Sequence, residues 1–434
     1  MLACAFVAGA SATTLEEAVG KAISTNPQVL GSGHAARAAG FDVKRARGGY
    51  FPSLDVDAGY GAEHTDIKQL NATGGGVGTL GRRELGVTAR QMLWDGWATR
   101  SEIERRVALL NAAQNSLEDT REAIAFRTVQ AYLDVARARE LLKLAGDNVV
   151  AHENVLTNVA AKAKGGVGNQ ADVEQATARL AFAKSTVLAR EGDLREARAH
   201  YEAVVGEVPG DLATPARKPS GLVADGTFDS GKVSTAIGDA MSVAAEGHPS
   251  IRASKASAEA AASEIKLAKS AYHPQVDLEA AMRRDDDIAG VRGYRDTESL
   301  MLVTRWNLFR GGADRAQEQA AVARKLEADE TVADTQRRVA QNVEIAYQAR
   351  AVSESRLSHL KNYADSSAGT LRAYRAQFEL NRRTLLDVLN AENELFNAKS
   401  NLAGGLYEDL VNQYFVEASK GNLINSLGVA SSQP

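Results

Sequence analysis

Gly76-Val77-Gly78-Thr79-Leu80-Gly81 has the G-x-G-x-x-G spacing of a loop that cradles a dinucleotide pyrophosphate. Such a loop works where it ends a strand and opens a helix, because the phosphate needs the helix N-terminus. Here the stretch joins two strand-like segments, and no helical pattern follows it, so it reads as a surface loop. Asp285-Asp286-Asp287 offers three carboxylates but lacks the alternate spacing of a calcium loop, and it reads as solvated loop. The seven histidines (His34, His64, His152, His200, His248, His273 and His359) form no H-E-x-x-H or similar pattern. No G-x-S-x-G elbow occurs. Cys4 stands alone, which removes a disulfide framework, a thiolate zinc cluster and a Cys–His nucleophile. With 51 Lys+Arg against 55 Asp+Glu, the chain carries no electrostatic footprint for nucleic acid. No enzyme activity, cofactor or metal is expected.

Function must then come from how the chain is built. Only 6% of its 434 residues are aromatic, and alanine supplies much of the 44% hydrophobic fraction. Aromatic side chains bring the large buried areas of thick cores, so thin, alanine-packed walls are expected instead. The eight prolines (Pro27, Pro52, Pro209, Pro215, Pro219, Pro249, Pro274 and Pro434) leave 53–208 and 275–433 free of proline. Both blocks can hold continuous helix or sheet. Pro209, Pro215 and Pro219, with Gly210 and Gly221, mark a linker over 209–231. Residues 1–12 are small and apolar and end Ala10-Ser11-Ala12, the pattern of a cleaved secretory signal. No stretch reaches the roughly 18–20 apolar residues of a membrane-spanning helix.

The chain resembles itself. Asn26-Pro27 recurs as His248-Pro249, and Tyr50-Phe51-Pro52 as Tyr272-His273-Pro274, both at an offset of 222. Leu93-Trp94-Asp95-Gly96 recurs as Leu308-Phe309-Arg310-Gly311, Asp172-Val173 as Asp387-Val388, and Ala183-Lys184-Ser185 as Ala398-Lys399-Ser400, all at 215. One duplication, 13–208 and 232–420, explains both registers; 421–434 is left as a C-terminal tail. Each copy opens with a helical run, about 28–49 and 250–271, stopped at a Tyr-x-Pro. Two segments alternating with period two follow in each copy: Leu54 to Tyr60 and Val87 to Leu93, then Val276 to Met282 and Leu300 to Leu308. Polar or glycine-rich loops join them, Thr73 to Gly81 and Asp285 to Asp296. Heptads come next: Ile103, Leu110, Leu117, Ile124, Ala131, Ala138 and Ala145, then, beyond Gly165-Gly166-Val167-Gly168, Val173, Leu180, Val187, Leu194 and Tyr201. The second copy repeats this about Asn381-Arg382-Arg383. The fold class is thus α+β: two long coiled-coil helical hairpins and two β-hairpins.

Four strands cannot close a membrane barrel, since the smallest have about eight, and lipid tolerates no open edge. If the strands enter a membrane, several chains must close one barrel. Trp94, Trp97 and Trp306 lie where strands give way to helices, and Tyr50, Phe51 and Tyr272 flank the first and third strands at that same end. Such a girdle marks a membrane interface; the same aromatics could also cap a soluble sheet, as in a periplasmic coiled-coil scaffold.

Leu15-Glu16-Glu17-Ala18-Val19, Asn26-Pro27, Tyr50-Phe51-Pro52-Ser53-Leu54, Gly168-Asn169-Gln170-Ala171-Asp172-Val173, Tyr374-Arg375-Ala376-Gln377-Phe378 and Arg383 to Asn393 together resemble the TolC-like outer-membrane efflux proteins. The resemblance implies a homotrimer with a twelve-strand barrel in outer-membrane lipid above a twelve-helix periplasmic tunnel. It implies a passive duct that docks on a periplasmic adaptor and an inner-membrane ABC transporter or other pump. Its periplasmic gate would fall at Asp172, Phe378, Arg383, Asp387 and Asn390, with Arg383 bonded to Asp172 of a neighbouring chain. Phe378 stands where a tyrosine can occur, Asn390 where an acid can, and Asn381 where glycine is common. From the residues alone, Asp172 and Asp387 are equally helix N-cap or first-turn carboxylates. The tips, Gly165, Gly166, Val167 and Gly168 with Leu380, Asn381 and Arg382, would meet the adaptor. The second-hairpin stretch looks closest to the type I protein secretion branch, with the outlet of a multidrug efflux pump as the alternative.

Overall fold

The computed structural model describes residues 12–66, 77–224, 227–380 and 382–429. The signal-like residues 1–11, the loop glycine Gly76 and the tip residue Asn381 lie outside the described residues. In chain order the elements are α1 (Leu15–Thr25), α2 (Pro27–Arg47), a 3-10 turn (Gly48–Tyr50), β1 (Ser53–Asp66), β2 (Val77–Trp94), α3 (Ala98–Lys164) and α4 (Gln170–Val205). Then follow β3 (Val223–Ala224), β4 (Thr227–Phe228), α5 (Ser230–Gly247), α6 (Pro249–Lys269), a 3-10 turn (Ser270–Tyr272), β5 (Gln275–Asp286), β6 (Tyr294–Arg305), α7 (Ala313–Glu379), α8 (Leu385–Ser419) and α9 (Leu423–Ser426). Two helices, a turn, two strands and two long helices thus occur twice in the same order. The helices α1 and α5, absent from the sequence reading, open the two runs. The recurring X-Pro pairs are the breaks behind them: Asn26 and His248 are extended, and Pro27 and Pro249 start the next helix.

The chain forms two compact units, each drawing on both halves of the sequence. One comprises 35–114 and 253–333 and carries a four-stranded antiparallel sheet in the order β1-β2-β5-β6. Ser53 pairs with Arg90 and Asp66 with Val77; Ala89 pairs with Ala280; Gln275 pairs with Arg305 and Asp286 with Tyr294. This register puts Leu54, Val56, Ala58, Tyr60, Leu85, Val87, Ala89, Leu278, Ala280, Met282, Leu300 and Leu302 on one face. That face is bare: Leu54 is 69% exposed and Leu300 72%. The other face carries a ladder of ion pairs. Arg305 reaches Asp277 (2.9 Å) and Glu279 (2.7 Å), Arg90 also binds Asp277, Arg82 binds Glu63 (2.7 Å), Arg283 binds Asp57 (3.2 Å) and Arg295 binds Asp285 (3.3 Å).

The strands differ from the sequence reading at their ends. Val77 to Gly81, expected in a loop, is strand, because Leu80 and Thr79 pair with Glu63 and His64. The acidic triplet is not one loop. Asp285 is buried against Arg295, Asp286 on the opposite face pairs with Arg83 (3.7 Å), and only Asp287 lies in the turn. In the other direction β6 stops at Arg305, leaving Trp306 and Leu308 outside it. Its partner β5 begins after Pro274, which has no amide to continue the ladder.

The second unit comprises 1–34, 115–252 and 334–434, of which residues 12–34, 115–224, 227–252, 334–380 and 382–429 are described. Its core joins Leu15 and Val19 of α1, Ile124, Val129 and Tyr132 of α3, Tyr201 of α4, and Leu410 of α8 with Leu423 of α9. The heptad positions Leu117, Ile124, Ala131, Ala138 and Ala145 are all buried, as are Ala176, Ala183 and Ala398. Small side chains at the seam let the helices pack closely.

The 209–231 stretch is tied down rather than free. Thr13 and Leu212 form a parallel bridge, and β3 pairs with β4. Arg217 donates to Asp409 (2.6 Å) and pairs with Glu354 (3.1 Å), and the buried Arg350 also binds Asp409. The tail likewise folds back: the Glu122 carboxylate accepts the amides of Leu423 (2.9 Å) and Ile424 (3.3 Å), which caps α9.

Candidate functional site

The end of the α3–α4 hairpin is set by glycine chemistry. Val167 N–H bonds to Lys162 O (3.0 Å) and Gly166 N–H to Ala163 O (3.1 Å), the paired bonds of a Schellman stop, with Gly166 at φ 75°. A Cβ on Gly168 would stand 2.7 Å from the Ala163 backbone nitrogen, so only glycine lets the chain turn back this tightly. Asn169 then caps α4, its side-chain oxygen accepting Ala171 N–H (3.0 Å), and Asp172 sits in the first turn. Val167 at the apex is 78% exposed.

The α7–α8 end uses a different device. Arg382 N–H bonds to Gln377 O (2.8 Å). Thr384 caps α8 in a reciprocal box with Asp387: Asp387 N–H donates to the Thr384 hydroxyl (3.3 Å), while Thr384 N–H donates to the Asp387 carboxylate (3.3 Å). The Thr384 hydroxyl and amide, and Arg383 beside them, hold the Asp387 carboxyl below the ordinary aspartate range. Arg383 donates to Gln377 (3.0 Å), lies 4.2 Å over the Tyr374 ring and pairs with Asp387 (3.7 Å). Within one chain, then, Arg383 and Asp387 meet, and both carboxylates stand in the first turns of helices.

Phe378 is half-buried among Val159, Ala176, Leu385 and Leu389, and so joins the two hairpins through apolar contact. Lys162 lies 4.3 Å from its ring. Asn390 accepts from Arg179 of α4 (3.4 Å), a second link between hairpins. Arg375 donates to Glu392 (2.8 Å), whose side chain is 4% exposed. The sequence reading gave no role to Arg375, Glu392, Tyr374, Lys162 or Arg179. Tyr374 and Arg375 fall in the Tyr374–Phe378 stretch and Glu392 in the Arg383–Asn393 stretch, but nothing in one sequence shows which charge faces a neighbouring helix. None of these groups forms a reacting constellation. They make polar and apolar contacts that can break and re-form without covalent change.

The six flanking aromatics gather at one end of the sheet, as the register requires. Tyr50 and Phe51 precede β1, Trp94 ends β2, Tyr272 precedes β5 and Trp306 follows β6. Trp94 and Trp97 meet edge to face at 4.8 Å, and the Trp306 indole N–H donates to Tyr272 O (3.2 Å). All but Trp94 are exposed. The apolar residues Leu85 to Leu93 of β2 cover eight steps, or about 27 Å of strand. Tilted by about 40°, it rises about 21 Å along a barrel axis, most of the roughly 25 Å apolar band of a membrane barrel.

Comparison with known proteins agrees with this geometry. The family described as outer membrane efflux protein matches residues 18–207 and 240–413. Among relatives matched over more than nine-tenths of this chain, the outer membrane efflux protein BepC of Brucella suis is 25% identical over 97% of this chain and 88% of its own. The proteases secretion protein PrtF of Dickeya chrysanthemi is 21% identical over 91% and 85%. The crystal structure of the Campylobacter jejuni CmeC outer membrane channel superposes with a TM-score of 0.80 at 15% identity, over 94% of this chain and 86% of that one. With a profile match across both halves, a bare apolar sheet face and an aromatic margin, the chain belongs to the outer membrane efflux protein family, the TolC-like channels of the bacterial outer membrane.

Proposed function

We propose that three copies of this chain form the outer-membrane exit duct of a type I protein secretion system. Their sheets close one twelve-strand barrel, and their helical hairpins line a periplasmic tunnel that is shut at the gate residues. The tips dock on a periplasmic adaptor served by an inner-membrane ABC transporter. The observation that carries the reading is the four-stranded sheet, apolar and exposed on one face, whose edge strands β1 and β6 each lack a second strand partner among the described residues. Such edges are not tolerated in lipid, and pairing β6 of one chain with β1 of the next removes them. A soluble periplasmic scaffold has no use for such a face. Trimerisation predicts a heat-modifiable oligomer in detergent; a stable monomer would refute it.

The type I branch is favoured by the Tyr374–Phe378 and Arg383–Asn393 stretches and by likeness to a relative named for protease secretion. A multidrug outlet is the second reading, favoured by likeness to BepC, which is named for efflux. Deleting the gene separates them. Loss of a protein from the culture medium with unchanged drug susceptibility supports secretion. Heightened drug susceptibility with intact secretion overturns it. Cysteine pairs at Val167 or Arg382 should crosslink to the adaptor, whereas crosslinks found only at the strand loops would count against tip docking.

A further inference from the structure

Trp97 holds a backbone conformation that bulky residues avoid. Its φ is 69°, and Asp287 and Ala289, both in the β5–β6 turn, are the only other non-glycine residues with positive φ among the described residues. The second half of the chain shows that the strain is not required by the turn. Gly312, 215 positions later, occupies the matching place at φ 87°. A tryptophan kept where glycine serves points to work done by its side chain. That side chain is 52% exposed.

Trp97 lines a cavity of about 300 Å³ with Arg100, Glu104, Lys266, Lys269 and His273. Gly96 makes it possible: a Cβ there would meet the Ser270 carbonyl at 2.8 Å, so the turn before α3 rests directly on the 3-10 turn that follows α6. Three cations from two helices converge, with Arg100 lying 5.4 Å over the Trp97 ring. Glu104 partly balances them, pairing with Lys266 (2.8 Å) and Arg100 (3.2 Å), while Lys269 reaches Glu318 (3.6 Å). The cavity sits at the aromatic margin of the sheet, where an apolar face ends and helices begin.

We propose that this cavity binds the phosphate of a phospholipid headgroup at the helix-side interface of the outer membrane. Arg100, Lys266 and Lys269 donate to the phosphate oxygens, and the Trp97 ring packs against the glycerol and upper acyl chain. Tryptophan suits this place because its ring is apolar and its N–H polar. Cationic side chains at a membrane surface favour anionic headgroups.

The test uses the detergent-purified oligomer loaded with phosphatidylglycerol and read by native mass spectrometry. Arg100→Gln/Lys266→Gln/Lys269→Gln should weaken lipid retention about 100-fold. Arg190→Gln/Arg195→Gln/Arg198→Gln on α4 should leave it unchanged. Trp97→Gly, which relieves the positive φ, should lose lipid while its thermal stability in detergent holds or rises; this separates binding from folding. Full displacement by millimolar inorganic phosphate would make this a free-phosphate site and overturn the lipid assignment. Equal retention of diacylglycerol, or undiminished phosphatidylglycerol on the triple variant, would show that acyl chains alone are held and refute the proposal.

Discussion

Arg375→Ser should loosen the start of α8 while leaving the rest of the hairpin intact. Glu392 is almost wholly buried, and Arg375 supplies the charge that faces it. Breaking a buried pair from one side costs about 3–5 kcal/mol, because the remaining charge stays out of water. Arg375 is itself half exposed, so water can partly replace it, and about 2–3 kcal/mol is the appropriate scale. That corresponds to roughly 30- to 150-fold faster amide exchange through local opening. Hydrogen exchange on residues 385–392 reads it directly, and planar-bilayer recordings should show a longer-lived open state. Arg375→Ser/Glu392→Leu, which removes both charges, should restore exchange to within about 1 kcal/mol of the native rate. Unchanged exchange in the single variant would refute the reasoning, as would a double variant as loose as the single one.

Arg383→Ser should raise single-channel conductance and open fraction in planar bilayers, since Arg383 ties Gln377, Tyr374 and Asp387 together; Arg382→Ser should do less, and equal behaviour of the two would reduce Arg383 to an ordinary solvated charge. The capping role of Asp387 predicts acid sensitivity. Its folded pKa lies below the ordinary value, so its contribution is complete above about pH 4 and fades as pH falls through the folded value. Exchange at the start of α8 should therefore quicken below about pH 4 in the native protein but not in Asp387→Asn. Glu122 behaves in the opposite sense: burial pushes it up to about 7, although the amides of Ile424 and Leu423 pull it down. With the folded pKa raised, stability is lost as pH climbs from about 4.5 through 7, so Glu122→Gln should gain about 1–3 kcal/mol at pH 8 and little at pH 5. A melting temperature of the native protein that is level from pH 5 to 8 would contradict this.

The architecture was legible because it rests on periodicity. Alternation placed all four strands of the large sheet, and heptads marked the long helices on both sides of each hairpin tip, since both patterns follow from which side chains must face a neighbour. Strand ends were less legible. Val77 to Gly81 looks like a flexible glycine run, yet cross-strand pairing with β1 outweighs its local preference. Trp306 continues the alternation, but Pro274 opposite removes the ladder it would need. The helices α1 and α5 are hard to read in the sequence because each is cut from its neighbour by one X-Pro pair. The contacts at the α7–α8 end were legible only in part. That Asp387 caps its own helix follows from Thr384 three residues earlier, a pattern visible in the sequence. That Arg375 faces a buried Glu392 across 17 positions depends on the packing of two helices. No local rule encodes that.

The β1 and β6 edges, unpaired among the described residues, also bear on how the protein reaches its place. A chain holding one third of the proposed barrel has no sealed membrane state of its own, so insertion and association become one event whose yield rises steeply with local chain concentration. Before that event, the bare β1 and β6 edges and the apolar face expose the chain to sticking wrongly to others like it. The same geometry makes damage dominant. If half the chains carried an edge that could not pair, only about one assembly of three in eight would be built wholly from sound chains. A proline placed in mid-β6 would then silence most of the sound copies made beside it.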